Sequence, residues 1–300
     1  MGECVGIVGM GLMGQSFSVN LLRAGFSLRG YDIDEGRMKE FKDLGGTPVS
    51  SAAEVARGAR WVITSLPNST IVRQAVLGSG GVAEGAGKGL ILADTTTSRP
   101  EDSVSLGAEL SGRGIRFLDA AVSGTSTMAR KKDLVVIAGG EREDFETCRP
   151  LFDGFSKVAY HMGPLGSGAL TKLIINLVLM CNRLGLAEGL VLGMKAGMNM
   201  ENLLSALKDG AAGSKAMDQK GERMIKGNYV PESHLTTSLK DVRLMLEQGQ
   251  RFGVPMFLAN IYAQIAQIGV QLGYAKFDPA CMIEVLRGMA GLPERKEGSK

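Results

Sequence analysis

Two hydrophobic periods divide the chain. In the first half, short apolar runs at 5–8, 27–31, 61–66, 90–94, 115–119, 135–138 and 158–160 alternate with segments of helical spacing. This alternation predicts a doubly wound sheet of roughly eight strands with helices on its faces. Local punctuation agrees with the assignment. Gly25 closes a helix that starts near residue 12, Ser51-Ala52-Ala53-Glu54 has the spacing of a capping box, Pro67 breaks a strand, and Pro100 opens a helix running to about Leu110. Gly163-Pro164-Leu165-Gly166 ends the alternation, and the period is helical from there on. The expected organisation is therefore an α/β domain over 1–164 and an all-α domain over 165–300 that begins with a long interdomain helix. The start of that helix, 170–180, is apolar nearly all round, which predicts burial on every side.

Glycine is the compositional outlier, at 42 of 300 residues. At that content roughly one G-x-G-x-x-G is expected by chance, so context must give the motif its meaning. Gly9-Met10-Gly11-Leu12-Met13-Gly14 follows an apolar strand and opens a helix, and a second strand then ends at Asp32. In that setting the first glycine permits a tight turn, the second lets backbone approach a pyrophosphate, and the third lets helix pack on strand. The amides at the helix start bind the anion. The pattern identifies a Rossmann-type dinucleotide site with Gly9, Gly11, Leu12, Met13 and Gly14 around the phosphates. Asp32 can accept from the adenosine ribose hydroxyls and would repel a 2′-phosphate, which favours NAD; Arg37 nearby leaves NADP open. Ligands in such sheets bind beyond the carboxyl ends of the strands, so Leu66-Pro67-Asn68, Thr95 to Thr97 and Val122-Ser123-Gly124 are the loops of interest.

Composition narrows the partners. The sequence has 34 Lys+Arg against 31 Asp+Glu, a net charge of +3, so neither a basic field for nucleic acid nor an acidic tail is indicated. Small molecules are the expected partners. Cys4, Cys148, Cys181 and Cys281 lie far apart and only His161 and His234 could join them, so no metal site is expected. The longest uninterrupted apolar stretch is about half of the ~20 residues a bilayer span needs, and no targeting segment is recognised. These features predict a cytoplasmic protein with reduced thiols and no membrane partner. The charged stretch from Glu294 to Lys300 reads as a mobile tail.

A polar seam interrupts the apolar helix after Gly168. Gly168, Lys172 and Asn176 are spaced by four and share one face. A buried ammonium must be paired, deprotonated or turned to a cleft, so Lys172 reads either as an acid/base group or as a lysine that snorkels to the surface.

With these motifs assembled, the chain resembles the β-hydroxyacid dehydrogenases, the group of 3-hydroxyisobutyrate dehydrogenase and tartronate semialdehyde reductase. The likeness runs from about Val5 to Leu292. It rests on Gly9 to Gly14, on Asp94-Thr95-Thr96-Thr97, on Asp119-Ala120-Ala121-Val122-Ser123-Gly124, on the run from Gly166 through Lys172 to Asn176, and on Lys240-Asp241. The resemblance implies interconversion of a small 3-hydroxyacid and its semialdehyde by hydride transfer, with Lys172 as general acid/base and Asn176 orienting it. It also implies that Ser123 and Gly124 hold the acid group, that Thr97 meets the nicotinamide end, and that Lys240 closes over cofactor and substrate from the helical domain. Homodimers or homotetramers built through that domain are implied as well. This chain departs from the family in three places. Thr125-Ser126 stands where a glycine is usual after Ser-Gly, which marks a substrate determinant and leaves a sulfonate aldehyde open beside a carboxylate one. Lys132 replaces a glycine two residues before Leu134, and Thr96 replaces a common serine. A nicotinamide-nucleotide-binding protein without chemistry remains the alternative of a different class.

Overall fold

The structure is a computed structural model that describes residues 3–295. The chain forms two compact units, Met1–Lys172 and Leu173–Lys300, the division falling inside a helix. The first unit is built on one eight-stranded sheet: β1 (Cys4–Val8), β2 (Ser27–Tyr31), β3 (Thr47–Pro48), β4 (Trp61–Thr64), β5 (Ile91–Asp94), β6 (Arg116–Ser123), β7 (Val135–Gly139) and β8 (Val158–His161). Their order is β3-β2-β1-β4-β5-β6-β7-β8. Strands through β6 are parallel, β7 runs antiparallel to β6, and β8 is parallel to β7. The connecting helices are α1 (Leu12–Arg23), α2 (Glu35–Asp43), α3 (Ala52–Ala56), α4 (Ser69–Leu77), α5 (Val82–Gly85), α6 (Pro100–Ser111), α7 (Ser126–Arg130), α8 (Arg142–Thr147) and α9 (Arg149–Phe155).

Strand alternation explains why the sheet is buried on both sides. Val5, Ile7, Trp61, Ile63, Ile91 and Ala93 enter one core, while Val8, Val62 and Leu92 enter the other. Parallel strands covered on both faces read as continuous apolar runs, which is the pattern seen in the sequence. The capping box at α3 forms with a shift: Ser51 Oγ accepts from the Glu54 amide at 3.2 Å, but the Glu54 carboxylate accepts from the amide and hydroxyl of Ser50.

Strand β6 extends beyond the predicted end at residue 119. Asp94 and Asp119 are the last β5–β6 pair, after which residues through Ser123 pair with β7 alone, ending at Ser123 opposite Val135. Ser123 thus closes a strand instead of lying within a loop.

The second unit is helical. It contains the remainder of α10 (Ser167–Lys195), α11 (Met200–Asp209), α12 (Lys215–Lys226), α13 (Leu235–Phe252), α14 (Phe257–Gly269) and α15 (Met282–Met289). Its core gathers Leu173, Met180, Leu184, Leu190, Val242 and Tyr262. Helix α10 is not buried on every side, because Ile174 and Val178, one turn apart, face away from that core at 53% and 54% exposure. By length and composition α10 is long and apolar enough to cross a bilayer, a test that core helices also pass; the shorter apolar run in the sequence reflects the interruption at Asn176. A buried ion cluster joins α12 to the segment before α15. Lys220 Nζ lies 2.6 Å from Glu232 and 2.9 Å from Asp278, whose carboxylate is fully buried. At the end of the described chain Arg295 is anchored rather than mobile, donating to Glu284 and to the carbonyls of Ile225 and Met224. The rest of the expected tail, 296–300, lies outside the described residues.

Candidate active site

The strand order reverses between β1 and β4, and the turns after these strands meet there. Gly9 has φ +99°, and its amide donates to Tyr31 O at 2.9 Å. A Cβ on Gly9 would stand 2.2 Å from Ser65 O, and one on Gly14 would stand 1.9 Å from Gly9 O. At Gly11 a Cβ would meet no atom within 4 Å. The first and third glycines are therefore required by protein packing, whereas the second faces open space. Gly11 also heads α1, and no side chain caps that helix. Its leading amides and positive dipole end, flanked by Leu12 and Met13, fit the phosphates of a dinucleotide.

Asp32 joins β2 to this turn. One carboxylate oxygen accepts from the Met10 amide at 2.7 Å and lies 3.5 Å from an Arg37 nitrogen, while the other accepts from the Asp34 amide at 2.9 Å. Each oxygen retains a second lone pair, so the carboxylate can still accept from a ribose. Arg37, the residue that kept NADP open, is ion-paired to Asp32 itself.

At the next two strand ends a buried carboxylate ties the loops together. Asp94 accepts from Thr64 Oγ1 at 2.8 Å and from the Thr96 amide at 3.0 Å, and Thr96 Oγ1 accepts from the Leu66 amide at 3.1 Å. This chain fixes Leu66-Pro67 relative to Thr97. Thr96 in place of serine retains the hydroxyl that makes the bond. Burial pushes the Asp94 carboxyl up to about 6 against the pull of these donors. Asn68 has a structural duty, since its side chain caps α4 by accepting from the Ile71 amide at 3.0 Å.

Gly124, after β6, has φ +139°, and a Cβ there would stand 2.5 Å from Leu134 Cδ2. Thr125 then caps α7, its hydroxyl accepting from the Met128 amide at 3.3 Å, with Ser126 as the first helical residue. Lys132, just beyond that helix, is the one non-glycine residue with positive φ among the described residues, at +60°. The position that usually holds glycine thus needs a left-handed backbone here too.

On α10, Lys172 and Asn176 are both buried, at 9% and 7% exposure. Asn176 Nδ2 donates to Asp241 at 3.1 Å, and the other oxygen of that carboxylate lies 2.9 Å from Lys240 Nζ. Asp241 therefore joins two motif residues to which the sequence gave roles, Asn176 and Lys240. Its adjacency to Lys240 was the only sequence signal for this.

An uncapped helix behind a glycine turn at the switch point of a doubly wound sheet defines a dinucleotide-binding unit. Residues 4–163 match the family model described as the NAD binding domain of 6-phosphogluconate dehydrogenase. Residues 166–286 match that described as the NAD-binding of NADP-dependent 3-hydroxyisobutyrate dehydrogenase. The chain is 30% identical over 289 residues to 2-(hydroxymethyl)glutarate dehydrogenase of Eubacterium barkeri, covering 96% of each. It is 31% identical over 283 residues to glyoxylate/succinic semialdehyde reductase 1 of Arabidopsis thaliana, covering 94% of this chain and 98% of that one. A solved 3-hydroxyisobutyrate dehydrogenase from Salmonella typhimurium matches with a TM-score of 0.87 at 26% identity, over 94% of this chain and 99% of that one. The chain belongs to the β-hydroxyacid dehydrogenase family and is an oxidoreductase with a nicotinamide cofactor.

Proposed function

We propose that this protein interconverts a small 3-hydroxyacid and its semialdehyde, with Lys172 as the general acid/base. The observation that carries this reading is the buried seam on α10, where Lys172 lies one turn from Asn176 and Asp241 holds Asn176. The bound nicotinamide supplies or takes the hydride at the substrate carbon. In the reducing direction Lys172 gives its proton to the carbonyl oxygen, and in the oxidising direction it takes the hydroxyl proton. Asn176 orients the reacting oxygen. Ser123 and the Gly124 backbone, with Thr125 and Ser126 beside them, hold the acid group, and Thr97 and Lys240 serve the nicotinamide end. Asp32 favours NAD over NADP, because a 2′-phosphate there would meet like charge. The relatives' names, a hydroxymethyl acid dehydrogenase and a semialdehyde reductase, support the substrate class.

Thr125-Ser126 keeps a sulfonate aldehyde as the second reading, since these hydroxyls can donate to a larger anion. We also read the protein as a cytoplasmic homodimer or homotetramer without nucleic-acid or membrane partners. Four free cysteines and a near-balanced charge support this, as do exposed apolar residues on α10 and α14 such as Ile174, Val178, Phe257 and Ile261. A monomeric mass in solution would count against the oligomer.

The test follows nicotinamide absorbance with NAD(H) and NADP(H) across hydroxyacids and semialdehydes bearing carboxylate, sulfonate and phosphonate heads. Turnover by the parent protein that is lost in Lys172→Ala, with nucleotide binding retained, is expected. NADH binding without turnover of any compound would support the non-catalytic alternative instead.

A further inference from the structure

The start of α10 is held by a residue far away in sequence. Asp119, at the β5–β6 level where the parallel pairing ends, accepts from the Gly166 amide at 3.0 Å and from the Ala169 amide at 2.6 Å. The helix sits backbone to backbone on the sheet at this point. A Cβ on Gly168 would stand 2.3 Å from Asp119 O and 2.8 Å from Gly139 N, and one on Gly139 would stand 2.6 Å from an Asp119 carboxylate oxygen. Neither glycine leaves room for the helix to slide.

Lys172 follows Ala169 by three residues, so it is that residue's neighbour on the helix surface and its side chain leans back toward the first turn. Fixing the Ala169 amide fixes the origin of the Lys172 side chain to within one turn. Ser123 lies on the same strand as Asp119 and on the same face, four residues along. A single strand thus carries both the acid-group candidate and the anchor of the helix that bears the lysine. Burial pushes the Asp119 carboxyl up to about 6, while backbone amides, those of Ala169 and Gly166 foremost, pull it down. At neutral pH it is charged, and a carboxylate at a helix N-terminus is favoured by the dipole. Asp94 on β5, whose ionisation the Asp119 charge opposes, accepts from Thr64 and Thr96 and does not compete for the α10 amides.

We propose that Asp119 is a positioning residue for Lys172, holding the first turn of α10 on β6 and β7 and so setting where the proton-transfer group begins. This rests on the reading of Lys172 given above. Asp119→Asn is nearly isosteric but presents an NH2 to one of the amides it should accept from, leaving a donor unpaired. A small displacement of a catalytic group lowers kcat by about 10- to 100-fold without touching a remote nucleotide site.

The experiment is a double-mutant cycle of Asp119→Asn and Lys172→Ala, read by single-turnover reduction of succinic semialdehyde with NADH or of the best compound of the panel, and by NADH affinity. The expected result is a loss of about 10- to 100-fold in the rate for Asp119→Asn, unchanged NADH affinity, and no further loss when it is added to Lys172→Ala. An equal factor in both backgrounds would make Asp119 merely structural, and an unchanged rate in the single variant would also overturn the proposal. Full turnover in Lys172→Ala would instead overturn the reading of Lys172. Asp119→Ser, which retains an acceptor without the charge, covers a folding failure of the first variant. If neither variant binds NADH, Asp119 is a folding residue and the proposal is wrong.

Discussion

Two strand-to-helix turns with glycines stand at the carboxyl edge of the same sheet, and they are finished in opposite ways. After β1, Gly9 at φ +99° turns the chain into α1, and no side chain caps that helix. After β6, Gly124 at φ +139° turns it into α7, and Thr125 satisfies the Met128 amide internally. The first turn offers unspent backbone donors and a helix of 12 residues behind them. The second offers side chains on a helix of 5 residues, with Ser123 at the strand end before it. A backbone site suits a group common to all dinucleotides, whereas a side-chain site can vary with the substrate. Two of the three departures read from the sequence lie at or just beyond the second turn, Thr125-Ser126 and Lys132, while Thr96 follows β5.

Substitutions that break this comparison differ in size. The largest effect is expected for Gly14→Ala, whose Cβ would stand 1.9 Å from Gly9 O. Overpacking against backbone costs about 3 kcal/mol, and NADH titration should give an affinity at least about 100-fold weaker as the turn opens. Next is Gly124→Ala, where the positive φ and Leu134 together cost about 2 kcal/mol in denaturant unfolding. Its KM for the acid substrate should rise while NADH affinity holds. Thr125→Ala removes one cap, worth about 1 kcal/mol, and should shift the preference among acid head groups. The smallest effect is a gain: Lys132→Gly relieves a left-handed residue and raises stability by about 0.5 kcal/mol, net of the extra chain entropy, with turnover unaffected.

What the sequence revealed follows from the range of the forces involved. The Gly9 to Gly14 turn was legible because strand, glycines and helix are contiguous, and Gly9 and Gly14 answer to neighbours in the same motif or the adjoining turn. The two-residue β3 was not, since Thr47-Pro48 is too short to show a period and is defined by its pairing with Arg29 and Gly30. The far half of β6 was missed because Ala120-Ala121-Val122 has no alternation and is held by β7 rather than β5. Asp119 and Asp241 could be quoted as parts of motifs but not given partners, because their partners lie 47, 50 and 65 residues away. The buried pairing of Lys220 with Asp278, 58 residues apart, left no local trace at all. The expectation that α10 is buried all round failed because apolar composition does not say which face the core takes. Ile174 and Val178 are as apolar as Leu173 but point elsewhere.

Proton transfer by Lys172 is the step on which the proposed reaction depends. Its most direct test is chemical rescue of Lys172→Ala by small primary amines, with nicotinamide oxidation followed at saturating NADH and semialdehyde. The variant is expected to keep its NADH affinity and to lose at least about 100-fold in turnover, partly restored by added amine to an extent that follows the amine's basicity. Undiminished turnover in Lys172→Ala without any amine would contradict proton transfer by Lys172.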